Sequence, residues 1–140
     1  EALLVADSRH AYLLEGENLL QGLDADLSAA DPSFAAERVR RYGEVARLLI
    51  DTGLIVVSTS KTFGINYQRM AEMIRTLVQP APVIAVHMSR AGEEPPPNTD
   101  LHFAGPQDFD AAARQILEEL KRRGVLIQPS GTKSTIQYSI

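Results

Sequence analysis

Between Ala36 and Val57 an amphipathic helical run passes into a β-branched strand with only Thr52 and Gly53 between them. The apolar positions Val39, Tyr42, Val45, Ala46 and Leu49 recur at spacings of three and four, which puts them on one helical face. Gly53 stands where a helix closes on a residue of positive φ. Leu54, Ile55, Val56 and Val57 are apolar on both faces of a strand, the pattern of a central parallel strand covered by helices on each side. A helix feeding directly into such a strand is half of an α/β unit.

The rest of the chain repeats the pattern. Ala11 to Leu14 is a short apolar run bounded by charge and predicts a buried strand, with Glu15-Gly16-Glu17-Asn18 just past its carboxyl end. Residues 22–36 are small and acidic, broken by Asp31-Pro32, and predict a loop in which Ser28 or Asp31 caps a helix. Tyr67, Met70, Ile74 and Leu77 mark a second helix ended by Pro80 and Pro82, followed by a strand over Val83 to Val86. Arg90 to Asn98, with three prolines, predicts an extended path. Leu101 to Phe103 predicts a fourth strand. Phe109, Ala112, Ile116, Leu117 and Leu120 form the face of a last helix closed by Lys121, Arg122, Arg123 and Gly124.

Strands alternating with helices predict parallel pairing and a three-layer α/β/α sandwich with strands 11–14, 54–57 and 83–86 in one parallel sheet. Ligands bind such sheets at the carboxyl ends of the strands, so Glu15 to Asn18 and Ser58 to Phe63 are the candidate site loops. One domain over residues 1–127 is expected, with 128–140 as a tail or an edge strand through Thr135 to Ile140. Glu1 to Ala6 reads as the end of a helix whose start precedes it, so a fragment of a longer protein is expected.

Composition narrows the function classes. With no cysteine there is neither a disulfide framework nor a thiolate metal site. The net charge of -4 and the lack of a basic, aromatic-studded stripe argue against nucleic acid as a partner. No apolar run reaches the roughly 20 residues of a membrane span, and a cytoplasmic protein is expected. His10, His87 and His102 lie at no ligand spacing, so only tertiary folding could assemble a histidine metal site; none is expected. Ser130-Gly131-Thr132-Lys133-Ser134-Thr135 echoes a phosphate loop but lacks the first glycine at the required spacing.

The segments Tyr12-Leu13-Leu14-Glu15-Gly16-Glu17-Asn18 and Arg40-Arg41-Tyr42-Gly43-Glu44-Val45-Ala46 together resemble the adenylylsulfate kinase (APS kinase) family, which shows Asp-Gly-Asp-Asn at the first place and Arg-Arg-x-Gly-Glu-Val-Ala at the second. The resemblance implies a P-loop kinase fold. It implies Mg2+ and ATP as cofactors if the chain is active, and adenylylsulfate or 3'-phosphoadenylylsulfate as the adenine nucleotide bound. An ATP sulfurylase domain or a second copy of the chain is the partner it suggests. Glu17 takes the place of a catalytic carboxylate, and Glu15, Asn18, Arg40, Arg41, Thr62 and Phe63 stand at substrate-binding places. Residues 40 and 41 differ by about 100° around a helix, so only one of the two arginines is expected to reach an anionic ligand.

Departures from the family pattern accumulate at its polar positions. Leu20 and Ala35 stand where the family has arginines, and Arg38 where it has asparagine. Where the family reads roughly Phe-Ile-Ser-Pro-Tyr-Arg, this chain reads Ser60-Lys61-Thr62-Phe63-Gly64-Ile65, with Thr62 in place of the serine and the proline and arginine gone. The basic lid is reduced to Arg90-Ala91-Gly92-Glu93, and no phosphate loop opens the chain. The first expectation is therefore a non-catalytic regulatory or assembly module of sulfate activation. The alternative is an authentic adenylylsulfate kinase whose phosphate loop and lid lie outside this stretch.

Overall fold

In the computed structural model, residues 1–59, 66–105 and 108–126 are described. Helix α1 (Ala2–Ala6) leads to strand β1 (Ala11–Glu15) and a single 3-10 turn (Gly16–Leu19). Helix α2 (Phe34–Asp51), strand β2 (Ile55–Thr59) and helix α3 (Tyr67–Leu77) follow, then strands β3 (Val86–Ser89) and β4 (Leu101–Ala104) and helix α4 (Phe109–Arg122).

Helix α2 anchors the fold. Its Val39 and Tyr42 are the largest fully buried side chains, and with Leu14, Ala46 and Val78 they make the core cluster. Fully burying a side chain of this kind is worth about 1.5–3 kcal/mol, so this one face fixes the helix against β1 and β2. Its C-terminus closes as a Schellman turn: Gly53, at φ +87°, donates to the Ile50 carbonyl at 2.8 Å, and Leu54 to that of Leu49 at 3.3 Å. The start differs from expectation. The helix begins at Phe34, and neither Ser28 nor Asp31 is its N-cap. Asp31 Oδ1 instead accepts from the Ser33 amide and hydroxyl, both at 2.7 Å, because Pro32 forces a turn just ahead of the helix.

Strands β1 and β2 pair in parallel from Ala11 opposite Ile55 to Glu15 opposite Thr59, and β3 and β4 in parallel from Val86 opposite Leu101 to Ser89 opposite Ala104. The three-layer α/β architecture with parallel strands is as the alternation predicts. Two particulars change. The third strand starts at Val86 rather than Val83, because the Asp100 carboxylate takes the Ala85 amide at 2.7 Å while the Ala85 carbonyl receives the Asp100 and Leu101 amides. Among the described residues that strand pairs with β4 and not with β2, so the single sheet expected through 11–14, 54–57 and 83–86 is two ladders here. Strands β1 and β2 are also less enclosed than expected: Leu14 is buried, but Tyr12, two residues before it on the same face, is 48% exposed and Ile55, Val56 and Val57 are half-buried.

Candidate functional site

Strand β1 delivers Glu15 to its carboxyl end and the 3-10 turn carries Gly16, Glu17 and Asn18 over it. Gly16 is buried and the three polar side chains are exposed, with Asn18 Nδ2 donating to Glu15 Oε2 at 3.2 Å. Beneath them lies the Tyr42 hydroxyl. It donates to the Leu14 carbonyl at 2.7 Å and shares a 2.6 Å hydrogen bond with Ser58 Oγ, so one buried phenol ties the ends of β1 and β2 together. Burial raises its pKa, and the negative charges of Glu17 and Glu15 add to the effect. Tyr42 reads in the sequence only as a core position; its place under the site depends on the β1–β2 register.

The arginines of α2 are engaged by carboxylates of the chain itself. Arg40 makes a fork with Glu37, Nε to Oε2 at 2.7 Å and Nη2 to Oε1 at 2.8 Å. Arg41 Nε reaches the same carboxylate at 2.9 Å, its Nη2 reaches Asp26 Oδ2 at 2.9 Å, and its Nη1 donates to Asp26 Oδ1 and the Leu23 carbonyl. Residues 40 and 41 point apart on the helix, yet their long side chains both wrap back to Glu37, one turn before them. Hydrogen bonds from Arg40 and then Arg41 hold the Glu37 carboxyl at a pKa of about 2.

One turn earlier Arg38 is buried against Asp24, Nε to Oδ2 at 3.3 Å, with its guanidinium 5.5 Å from the centre of the Phe34 ring. Asp24 Oδ1 is buried without a hydrogen-bond partner. Two arginines of α2 thus clamp the loop of residues 20–27 beside the 3-10 turn. Sequence reasoning did not find this clamp, because Asp24 and Asp26 look like ordinary loop acids.

Of the sequence-predicted site residues, Glu15, Glu17 and Asn18 are together at the end of β1, while Arg40 and Arg41 are drawn into ion pairs on α2. Thr62 and Phe63 lie outside the described residues, as do the Ser130 to Thr135 segment and the 128–140 tail. Among the described residues no group of three or more His, Asp or Glu side chains is arranged to hold a metal ion, and no helix is long and apolar enough to cross a membrane.

Comparison with known proteins bears on this arrangement. The family model for adenylylsulphate kinase matches residues 1–96. The chain is 41% identical over 78 residues to the adenylyl-sulfate kinase of Aeromonas hydrophila, a match covering 56% of this chain and 38% of that protein. It is 28% identical over 155 residues to the adenylyl-sulfate kinase of Yersinia pestis, covering 90% of this chain and 71% of that protein. A solved structure of the Mycobacterium tuberculosis APS kinase CysC, in complex with AMPPNP and APS, superimposes with a TM-score of 0.67 at 22% identity, over 86% of each chain. The first of these matches spans about two fifths of the relative's own length. Residues 1–96 include both the Glu15–Asn18 turn and the arginines of α2, and on that match the chain belongs to the adenylylsulphate kinase family.

Proposed function

We propose that this chain is an adenylylsulfate kinase-like domain of sulfate activation that does not itself transfer phosphoryl groups, but binds an adenine nucleotide sulfate weakly and acts as a regulatory or assembly module. The observation that carries this reading is the engagement of Arg40 and Arg41 by Glu37 and Asp26. Arginines that retain the family's motif are already neutralised, and Leu20 and Ala35 place apolar groups where further cations would help hold an anion. Catalysis of phosphoryl transfer is mostly positioning and charge stabilisation, so a site whose cations are committed elsewhere has little to supply.

Glu15 and Glu17 are oxygen donors of the kind Mg2+ accepts when substrate phosphates complete its shell, and their exposure leaves room for that. They fit one side of a Mg–ATP site, and Mg2+ would there neutralise charge on the nucleotide's phosphates. In this chain Glu17 would accept a proton or a hydrogen bond from the attacking hydroxyl, with Asn18 holding Glu15 aside. A glycine-rich cradle for the phosphates is not among the described residues.

The second reading, an authentic adenylylsulfate kinase, is favoured by the placement of Glu17 at the carboxyl end of β1 over a buried Gly16. A coupled assay with ATP, Mg2+ and adenylylsulfate separates the two. The first reading expects no turnover by the 140-residue chain; rates within the usual 1 to 100 per second of kinases establish the second. For an assembly role the partner is an ATP sulfurylase domain or a second copy of the chain. Sedimentation of the protein alone and with an ATP sulfurylase tests both.

A further inference from the structure

Parallel pairing of β3 with β4 sets His87 opposite His102, so two imidazoles that are remote in sequence stand side by side on one face of the ladder. Their ring centroids are 5.7 Å apart and the planes are tilted by 32°. Ser89 Oγ lies 2.8 Å from His102 Nε2, and Tyr67, in the first turn of α3, packs edge-on against His87 at 5.4 Å. Both histidines are half-buried. Neither takes part in the Glu15–Asn18 turn or the arginine clamp.

We propose that His87 and His102, with the Ser89 hydroxyl beside them, bind one divalent transition cation of the Zn2+ or Ni2+ kind. Imidazole is the nitrogen ligand these cations favour, whereas Mg2+ takes oxygen ligands. The spacing decides the case. A metal–nitrogen bond of about 2.0–2.1 Å, extended by roughly 1.1 Å to the ring centre, lets two imidazoles on one ion have centroids at most about 6.4 Å apart, and about 5.2 Å apart at a tetrahedral angle. The 5.7 Å separation falls between these values. Rotation about χ2, which is soft for histidine, brings a nitrogen of each ring to a shared ion without moving either strand.

Ser89 Oγ and water complete the shell, since among the described residues no third His, Asp or Glu joins the pair. Two imidazoles are half the protein ligands of a closed structural zinc site, and half of such a site's binding free energy corresponds to a Kd of roughly 1–200 µM.

The test is calorimetric titration of the protein, free of any polyhistidine tag, with ZnCl2 and separately with MgCl2, alongside NMR of the histidine rings. One Zn2+ site in the stated range is expected, with the His87 and His102 ring resonances moving and those of His10 still. His87→Ala and His102→Ala should each weaken binding at least tenfold, His10→Ala should leave it unchanged, and Mg2+ should move neither ring. The ring resonances of the unsubstituted protein keep the test valid if a variant fails to fold. Absence of saturable Zn2+ binding below 1 mM, or binding that leaves both rings unmoved, overturns the proposal.

Discussion

Gly43 in α2 and Leu77 in α3 are so close that a methyl group on Gly43 would lie 2.5 Å from Leu77 Cδ1 and 3.3 Å from Leu77 Cβ, with Ile74 Cδ1 at 3.2 Å. A glycine inside a helix costs about 1 kcal/mol relative to alanine, so its presence here marks the close approach of the two helices. Gly43→Ala recovers that propensity but overpacks the contact at about 1–3 kcal/mol. The Leu77 methyl can rotate away; its Cβ cannot. A net loss of about 1 kcal/mol is expected, or roughly 4 °C in Tm, with a larger loss for Gly43→Val. A Gly43→Ala protein that melts at or above the wild-type temperature would show that α3 shifts freely.

Tyr42→Phe removes the hydroxyl that joins the Leu14 carbonyl to Ser58. Leaving a buried acceptor unmatched costs about 1–3 kcal/mol. The loss should appear in urea unfolding as a lower midpoint with an unchanged slope. Hydrogen exchange should also quicken at the ends of β1 and β2, which this phenol ties together. Unaltered stability would mean that water or Ser58 alone satisfies the carbonyl.

Much of this architecture was legible because it follows periodicity. The apolar face of α2, the glycine after it and the parallel pairing of residues 11–14 with those after Gly53 are all consequences of local pattern. The third strand was misplaced by three residues because Val83 to Val86 reads as uniformly apolar, and the carboxylate that delays its ladder, Asp100, lies in another segment. The site was half legible for the same reason. Glu15 to Asn18 follow from a strand end, but the commitment of Arg41 to Asp26 joins residues far apart in the chain, and no spacing rule reports it. His87 and His102 became neighbours only through a register between two strands.

Glu37 gives the fold a measurable acid response. Its carboxyl is held at about 2, from an ordinary 4.5, by hydrogen bonds from Arg40 and Arg41. A depressed folded-state pKa contributes stability above the unfolded value and loses it as the pH falls through the folded one. The contribution is therefore full above about pH 5 and fades between about 4.5 and 2. Urea midpoints for the wild type and Glu37→Gln should differ most near pH 6, draw together as the pH falls below about 4.5, and converge only below about pH 2. A gap that stays constant over that range would mean Glu37 titrates alike in both states.

Arg41 supplies the sharpest test of the candidate site. Its guanidinium is bound on two sides by Asp26 and Glu37 and also donates to the Leu23 carbonyl, so an anionic ligand must compete with carboxylates already in place. Adenylylsulfate is accordingly expected to bind with a millimolar Kd, measured by calorimetry. Asp26→Asn removes the strongest competitor while costing little stability, since the Asp26 side chain is 67% exposed and surface pairs are worth at most about 1 kcal/mol. Freed in this way, Arg41 can offer the ligand a charge-assisted hydrogen bond worth about 1.5–3 kcal/mol, or roughly 10-fold to 100-fold in affinity. Arg41→Ala in the same background should return binding to the millimolar level, and Glu17→Gln should change it if the ligand reaches the end of β1. Sub-micromolar binding by the wild type would favour the enzyme, whereas weak binding indifferent to all three substitutions would mean that this surface takes no nucleotide.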